Sequence, residues 1–158
     1  MMSERILIPL DGSRSSEAAI YQVMNLLCDI KPAGETEIIL LEVIKPPVKH
    51  IPVEGGTVDI PIEESEMQLL KDKAYQYLKE TTGKLQLMGV GVSCEVIVRQ
   101  NGESTADAII RAEKELNGNL VAMSLPGKHG LRHWSAHHTA EKVLDHGSIP
   151  VIMVAAHS

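Results

Sequence analysis

Short aliphatic runs alternate with longer amphipathic stretches along the whole of this chain. Four of the runs consist almost entirely of Ile, Leu, Val, Ala and Met, which is typical of strands covered on both faces, and a fifth alternates apolar with polar residues. The five predicted strands are residues 6–10, 38–44, 92–98, 120–123 and 151–154.

The four segments between these strands repeat apolar residues at helical spacing. The first predicted helix begins at Ser15, and the second covers residues 63 to about 87. The third begins after Ser104, a favourable capping residue. The last predicted helix has one apolar face, formed by Ala136, Ala140, Val143 and Leu144. Strands that alternate with helices form a parallel sheet with right-handed crossovers. The sequence therefore predicts an α/β fold, a doubly wound five-stranded parallel sheet with helices on both faces.

Residues 46–61 interrupt this alternation. They contain four prolines and the pair Gly55-Gly56. We expect them to form one long loop, since proline and glycine interrupt helices and strands. Long loops in compact domains are commonly functional or mobile. The 158-residue length favours a single domain over residues 1–158 that includes this loop.

Composition narrows the classes of function. The net charge of -6 argues against binding to nucleic acid or to anionic membranes, and the 3% of aromatic residues argues against a base-stacking surface. The first apolar run is too short for a signal peptide, and no run approaches the length of a membrane span. These observations predict a cytoplasmic protein with neither nucleic acid nor membrane as a partner.

Asp11 stands directly at the end of the first predicted strand. Ligands of open parallel sheets bind at the carboxyl ends of strands, where the strand order reverses. The candidate segments are thus the loops after the first, second and fourth strands, with Pro9, Leu10, Asp11, Val43, Met123 and Ser124 among their residues. The Asp11 carboxylate has two interpretations, either an acceptor for a ribose hydroxyl or base amino group, or a cap on the first helix.

Three segments resemble universal stress protein domains: ILIPLDGSRSSEAAI, LLEVI and MSLPGKHGLRHWSAHHTAEKVLDHGSIPVIMV. The resemblance covers almost the whole chain and implies the strand order 3-2-1-4-5. It also implies a homodimer, paired through the last strand at residues 151–154, whose apolar edge would otherwise lie open. An unidentified protein partner is compatible with this family.

ATP-binding members of that family carry Gly-x2-Gly-x9-Gly-Ser/Thr after the fourth strand. Aligned without gaps, these four positions fall on Ser124, Gly127, His137 and His138, so one signature glycine remains. A glycine lets phosphate approach the backbone and a hydroxyl donates to it, whereas histidine adds a ring there. The resemblance also matches Asp11 to an adenine-contacting carboxylate, with Val43 as an apolar contact and Met123 as a neighbouring backbone position.

The leading hypothesis is a non-enzymatic binding or signalling module whose adenine-nucleotide-type pocket is degenerate at the phosphate end, with weak or no ATP binding. It assigns no catalytic residue. No cofactor follows from the residues themselves, and ATP or another adenine nucleotide is what the resemblance allows. The alternative is an ATP-binding member with slow hydrolysis, in which Lys128 and the pair His137-His138 replace the missing donors.

A third hypothesis is a metal site. His133, His137 and Glu141 are spaced four residues apart, which places three metal-ligating residue types on one face of a continuous helix. Gly130 precedes this run and Ser135 is a helix-start residue type, so the predicted helix need not extend back to His133. Residues with this spacing often occur without binding a metal, and histidines near helix ends are commonly surface residues.

Overall fold

The computed structural model describes residues 4–30, 36–86, 91–125 and 134–155, with the backbone alone described at 28–30, 84–86 and 134–137. Within these residues the strands are β1 Glu4–Leu10, β2 Thr36–Ile44, β3 Val48–Val53, β4 Gly56–Pro61, β5 Gly91–Val98, β6 Leu120–Leu125 and β7 Val151–Ala155. The helices are α1 Ala18–Ile30, α2 Glu64–Gln86, α3 Thr105–Glu115 and α4 Trp134–His146. None of the helices described is both long and apolar enough to cross a membrane.

Five strands form one sheet in the order β5-β2-β1-β6-β7. Each neighbouring pair is parallel, and β1 pairs with β2 from Glu4 opposite Thr36 to Leu10 opposite Glu42. In the numbering of the five predicted strands this order is 3-2-1-4-5, so the predicted α/β fold and strand order are confirmed.

Two apolar cores lie on opposite faces of the sheet, and β2 contributes alternate residues to both. Ile38 and Leu40 pack in the core that contains α1 residues and Leu78 of α2. Ile39 and Leu41 pack in the core with apolar residues of α3 and α4. The alternation follows from the period of two residues in a strand, and it explains why the strands are apolar on both faces.

The segment predicted as a long loop is a β-hairpin instead. Strands β3 and β4 pair antiparallel around a two-residue turn at Glu54-Gly55, where Gly55 has a φ of 92° that favours glycine. Pro52 and Pro61 favoured the prediction of a loop, because proline interrupts a central strand. Proline is tolerated in a strand that has a free edge, as both strands of this hairpin do. All residues of both strands are exposed, so no inward-facing apolar alternation marks the hairpin in the sequence.

Two further expectations need correction. Helix α1 begins at Ala18 rather than at Ser15, because the residues between them form a turn. Leu144, predicted on the packed face of the last helix, is 51% exposed, whereas Val143 beside it is fully buried. The capping prediction is confirmed: the Ser104 hydroxyl accepts from the Asp107 N–H, and the Asp107 carboxylate accepts from the Ser104 N–H.

Candidate functional site

A cavity of about 230 Å³ opens at the carboxyl ends of β1, β2 and β6. From β1 the chain builds the sheet outward on one side through β2 and β5, and then returns to the other side of β1 to add β6 and β7, so the cavity lies where the strand order reverses. Six residues nominated from the sequence line it: Pro9, Leu10, Asp11, Val43, Met123 and Ser124. Four lining residues were not nominated: Ser16, Thr105, Ile109 and Thr139.

Asp11 organises the turn between β1 and α1. Its Oδ1 accepts hydrogen bonds from the Ser13 N–H, at 2.9 Å, and from the Ser13 hydroxyl, while its own N–H donates to the Ser16 hydroxyl at 3.3 Å. Gly12 adopts a φ of 88°, which allows the chain to reverse here. The cap interpretation thus applies to this turn rather than to α1 itself, and the exposed carboxylate also lines the cavity.

Ser124 links β6 to the start of α1. Its hydroxyl accepts from the Ala19 N–H at 2.8 Å and donates to the Ser16 carbonyl at 2.9 Å. The first N–H groups of a helix have no partner within the helix, so this hydroxyl satisfies one of them from a different element. Ser124 therefore fixes the position of α1 against the cavity.

The cavity has a negative and weakly polar character. Among its described lining residues, Asp11 is the one with a charged side chain, and the other polar groups are the hydroxyls of Ser16, Thr105, Ser124 and Thr139. Glu42 lies nearby: burial raises the pKa of its carboxyl, and the charge of Asp11 raises it further. No lysine or arginine lines the described part of the cavity to pair with a phosphate.

The structure describes only some of the residues that were predicted for the phosphate end of the site. Gly127 lies outside the described residues, and His137 belongs to α4 with its side chain outside the description. His138 is exposed and is not among the cavity residues, whereas Thr139 next to it is half-buried and lines the cavity. A threonine therefore lines the cavity one position after the last signature residue.

The missed residues come from helices rather than strand ends. Thr105 and Ile109 are four residues apart at the start of α3, so the same helix face presents both to the cavity. The sequence carries a signal for this, because Ser104 marks the helix start and fixes which residues form its first turn. The turn at Asp11 brings Ser16 to the cavity, and the spacing of residues in the sequence does not reveal this turn.

The metal hypothesis concerns residues that are only partly described. His133 lies outside the described residues, the side chain of His137 is also outside them, and Glu141 is exposed on α4. Where side chains are described, no group of three or more His, Cys, Asp or Glu residues is arranged to hold a metal ion.

The sequence and the fold agree with one known class of protein. The model of the universal stress protein family matches residues 2–155. The chain therefore belongs to the universal stress protein family.

Particular relatives share the length of the chain. It is 26% identical over 152 residues to universal stress protein MJ0531 of Methanocaldococcus jannaschii, covering 96% of this chain and 81% of that protein. Its fold is similar to a crystal structure of a universal stress protein family member from Burkholderia pseudomallei, with a TM-score of 0.67, 20% identity and coverage of 96% and 95% of the two chains. It is also similar to the AMP-bound structure of an Arabidopsis thaliana family protein, with a TM-score of 0.63, 14% identity and coverage of 98% and 93%.

Proposed function

We propose that this chain is a single-domain, non-enzymatic binding module that holds the adenosine part of an adenine nucleotide and binds the outer phosphates weakly or not at all. The observation that carries the proposal is the cavity itself. It gathers Asp11, Val43 and Met123 from three separate strand ends at the point where the strand order reverses.

The lining suits a nucleoside. The Asp11 carboxylate accepts hydrogen bonds, which fits the amino group of adenine or a ribose hydroxyl. Val43, Met123 and Ile109 supply apolar surface for the flat base, and the Thr105 hydroxyl adds a group that both donates and accepts. An apolar cavity with few polar groups is the usual form of a small-molecule site.

The same lining suits a triphosphate poorly. The cavity of about 230 Å³ is below the roughly 300–1,000 Å³ that is common for ligand sites. Asp11 repels a phosphate, and no cationic side chain lines the described part of the cavity. The Arabidopsis relative was solved with AMP bound, a nucleotide with one phosphate, which supports a ligand of this size for the present chain.

Calorimetric titration with adenosine, AMP and ATP tests the proposal. We expect adenosine and AMP to bind, ATP to bind no more tightly than AMP, and Asp11→Asn to weaken AMP binding about tenfold or more, because it removes a charged acceptor. Asp145→Asn is the matched control, since Asp145 is exposed on α4 outside the cavity. Micromolar ATP binding that far exceeds AMP binding would contradict the weak-phosphate part, and no adenosine binding would contradict the whole.

We also propose a homodimer formed through β7, with the protein acting in the cytoplasm. Strand β7 lies at one edge of the sheet, and its residues Val151 to Val154 are apolar and only half-buried. An unpaired apolar edge strand is an effective surface for pairing with a second copy. Sedimentation equilibrium should give a dimer, and Ile152→Lys should shift it toward monomer; a monomer at high concentration of the unmodified chain would rule the pairing out.

A further inference from the structure

A second cavity, of about 420 Å³, lies between the end of β2 and helix α2. It shares one lining residue, Val43, with the first cavity. The Asp11-Gly12 turn stands between the two, since Asp11 lines the first cavity and Gly12 the second. The proposed nucleotide site leaves this second cavity without an assigned role.

Glu42 occupies an unusual position in its wall. Along β2, Ile38 and Leu40 face the core formed with α1 and α2, and the alternation places Glu42 on that same face. A carboxyl group thus stands where an aliphatic side chain would continue the core. Its Oε2 is buried and has no hydrogen-bond partner among the described residues.

Tyr77 of α2 presents a second buried polar atom to the same cavity. Its buried hydroxyl makes no hydrogen bond of good geometry among the described residues, and its polar neighbour is the Ser16 side chain, whose weak hydrogen bond lowers the pKa of Tyr77. The pKa of Tyr77 is raised to about 12, first by burial and then by the charge of Glu17, with smaller increases from Glu42 and Asp11. Native proteins rarely leave buried polar atoms unpaired, because such atoms lose their hydrogen bonds to water without replacing them.

Three carboxylates, those of Asp11, Glu17 and Glu42, therefore act on the same small region. Their combined field favours a positive charge in the cavity. Lys73 also lines the cavity, but it is exposed to water, which screens its charge, whereas the Glu42 carboxyl is shielded.

The remaining wall is apolar. Leu70 and Ala74 of α2 and Ile44 of β2 supply hydrocarbon surface beside the two polar groups. A wall of this kind fits a hydrocarbon chain or ring, and the carboxyl group fits a hydrogen-bond donor that carries positive charge.

We propose that this second cavity binds a small organic ammonium ion with an apolar body, whose ammonium group pairs with the Glu42 carboxylate and whose body packs against Leu70 and Ile44. The ion supplies the positive charge and the hydrogen-bond donors that the buried carboxyl group lacks. This cavity shares Val43 with the proposed nucleotide site and lies within reach of the Asp11 charge, but its other described lining residues are different, so its occupancy can be measured separately.

Benzylamine, which is an ammonium ion at neutral pH, serves as the probe, and nuclear magnetic resonance of the isotope-labelled protein as the readout. We expect saturable binding with shifts at Ile44 and Leu70 and none at Thr105 or Thr139. Benzyl alcohol has the same ring without the charge and should bind at least about tenfold more weakly. Equal binding of the two compounds, no saturable binding of benzylamine, or shifts confined to the first cavity would overturn the proposal.

Two substitutions and one control test which groups hold the ion. Glu42→Gln keeps the shape of the side chain and should weaken benzylamine binding at least about tenfold, while Glu95→Gln, on the exposed side of β5, should leave it unchanged. Tyr77→Phe removes the hydroxyl alone and keeps the ring in the wall, so it should weaken binding by a smaller factor and serves if Glu42→Gln fails to fold. Unchanged affinity for benzylamine in both Glu42→Gln and Tyr77→Phe contradicts the proposal.

Discussion

The hydroxyl of Ser124 donates a hydrogen bond of 2.9 Å to the carbonyl of Ser16, across 108 positions of the sequence. The same hydroxyl accepts from the Ala19 N–H at 2.8 Å, so it holds both the turn before α1 and the first turn of the helix. ATP-binding members of the family carry glycine at the position that aligns with Ser124. A glycine there has no hydroxyl, so it could make neither of these two hydrogen bonds.

Ser124→Ala should lower the free energy of unfolding by about 1–2 kcal/mol, because it leaves the Ala19 N–H without its capping acceptor. Chemical denaturation measures the change. Ser65→Ala is the matched control, since Ser65 is exposed on α2 and its loss should change stability by less than about 0.5 kcal/mol. Equal stability of Ser124→Ala and the unmodified protein would show that water replaces the contact without cost.

The strands of the main sheet were predictable because their chemistry is local. The runs at β1 and β2 are apolar on both faces, which only a covered parallel sheet requires, and the alternation with helices then fixes the fold class. The start of α3 was equally predictable, since Ser104 and Asp107 form a capping box that depends on residues three apart.

The rest depended on distant or exposed relationships. The β3–β4 hairpin has no buried face, so its residues carry no burial pattern, and Pro52 indicated a loop. Strand-end reasoning found Asp11 and Val43 but not Thr105, because Thr105 belongs to helix α3, which packs against β2 and β5 and completes the cavity. No local pattern reveals which residue of a helix will face a site formed by other elements.

Thr139→Val should weaken AMP binding about three- to tenfold, because Thr139 lines the cavity and the substitution removes one hydroxyl at nearly constant shape. His138→Ala is the paired variant and should leave the affinity for AMP and ATP unchanged, since His138 is exposed and outside the cavity wall. Calorimetric titration compares the two. A loss of ATP affinity in His138→Ala would favour the alternative hypothesis, in which the histidines contact the phosphates.

Gly147 and Gly83 should respond in opposite directions to replacement by alanine. A Cβ at Gly147 would lie 2.5 Å from the backbone carbonyl oxygen of Val143 and 2.6 Å from Oε1 of Glu113, so Gly147→Ala should cost about 1–3 kcal/mol. Gly83 is exposed within α2 with no atom near the added Cβ, so Gly83→Ala should add about 0.5–1 kcal/mol by restricting the unfolded chain. Thermal unfolding of both variants, followed by circular dichroism, measures the two shifts, and a stabilised Gly147→Ala would show that the end of α4 relaxes.

Glu113 makes the stability of the fold depend on pH. It is only 2% exposed on α3, its Oε2 accepts from the Ser148 N–H at 3.2 Å, and its Oε1 has no hydrogen-bond partner among the described residues. Burial raises its pKa, although the Ser148 hydrogen bond opposes the shift. The folded protein therefore holds this proton more tightly than the unfolded chain, and the resulting stability is present below pH 4.5 and is lost as pH rises through the raised pKa.

Glu113→Gln removes the buried charge and keeps a carbonyl oxygen as acceptor for Ser148. The free energy of unfolding of the variant, relative to the unmodified protein, should rise as pH increases from 4.5, reach a constant advantage on the order of 1 kcal/mol above the raised pKa, and disappear in acid. Denaturation at a series of pH values measures this difference, with Glu80→Gln, exposed on α2, as a control that should show no such trend. A difference that falls with increasing pH would mean that the ionised Glu113 carboxylate stabilises the end of α4, because the charged form would then be the better hydrogen-bond acceptor for Ser148.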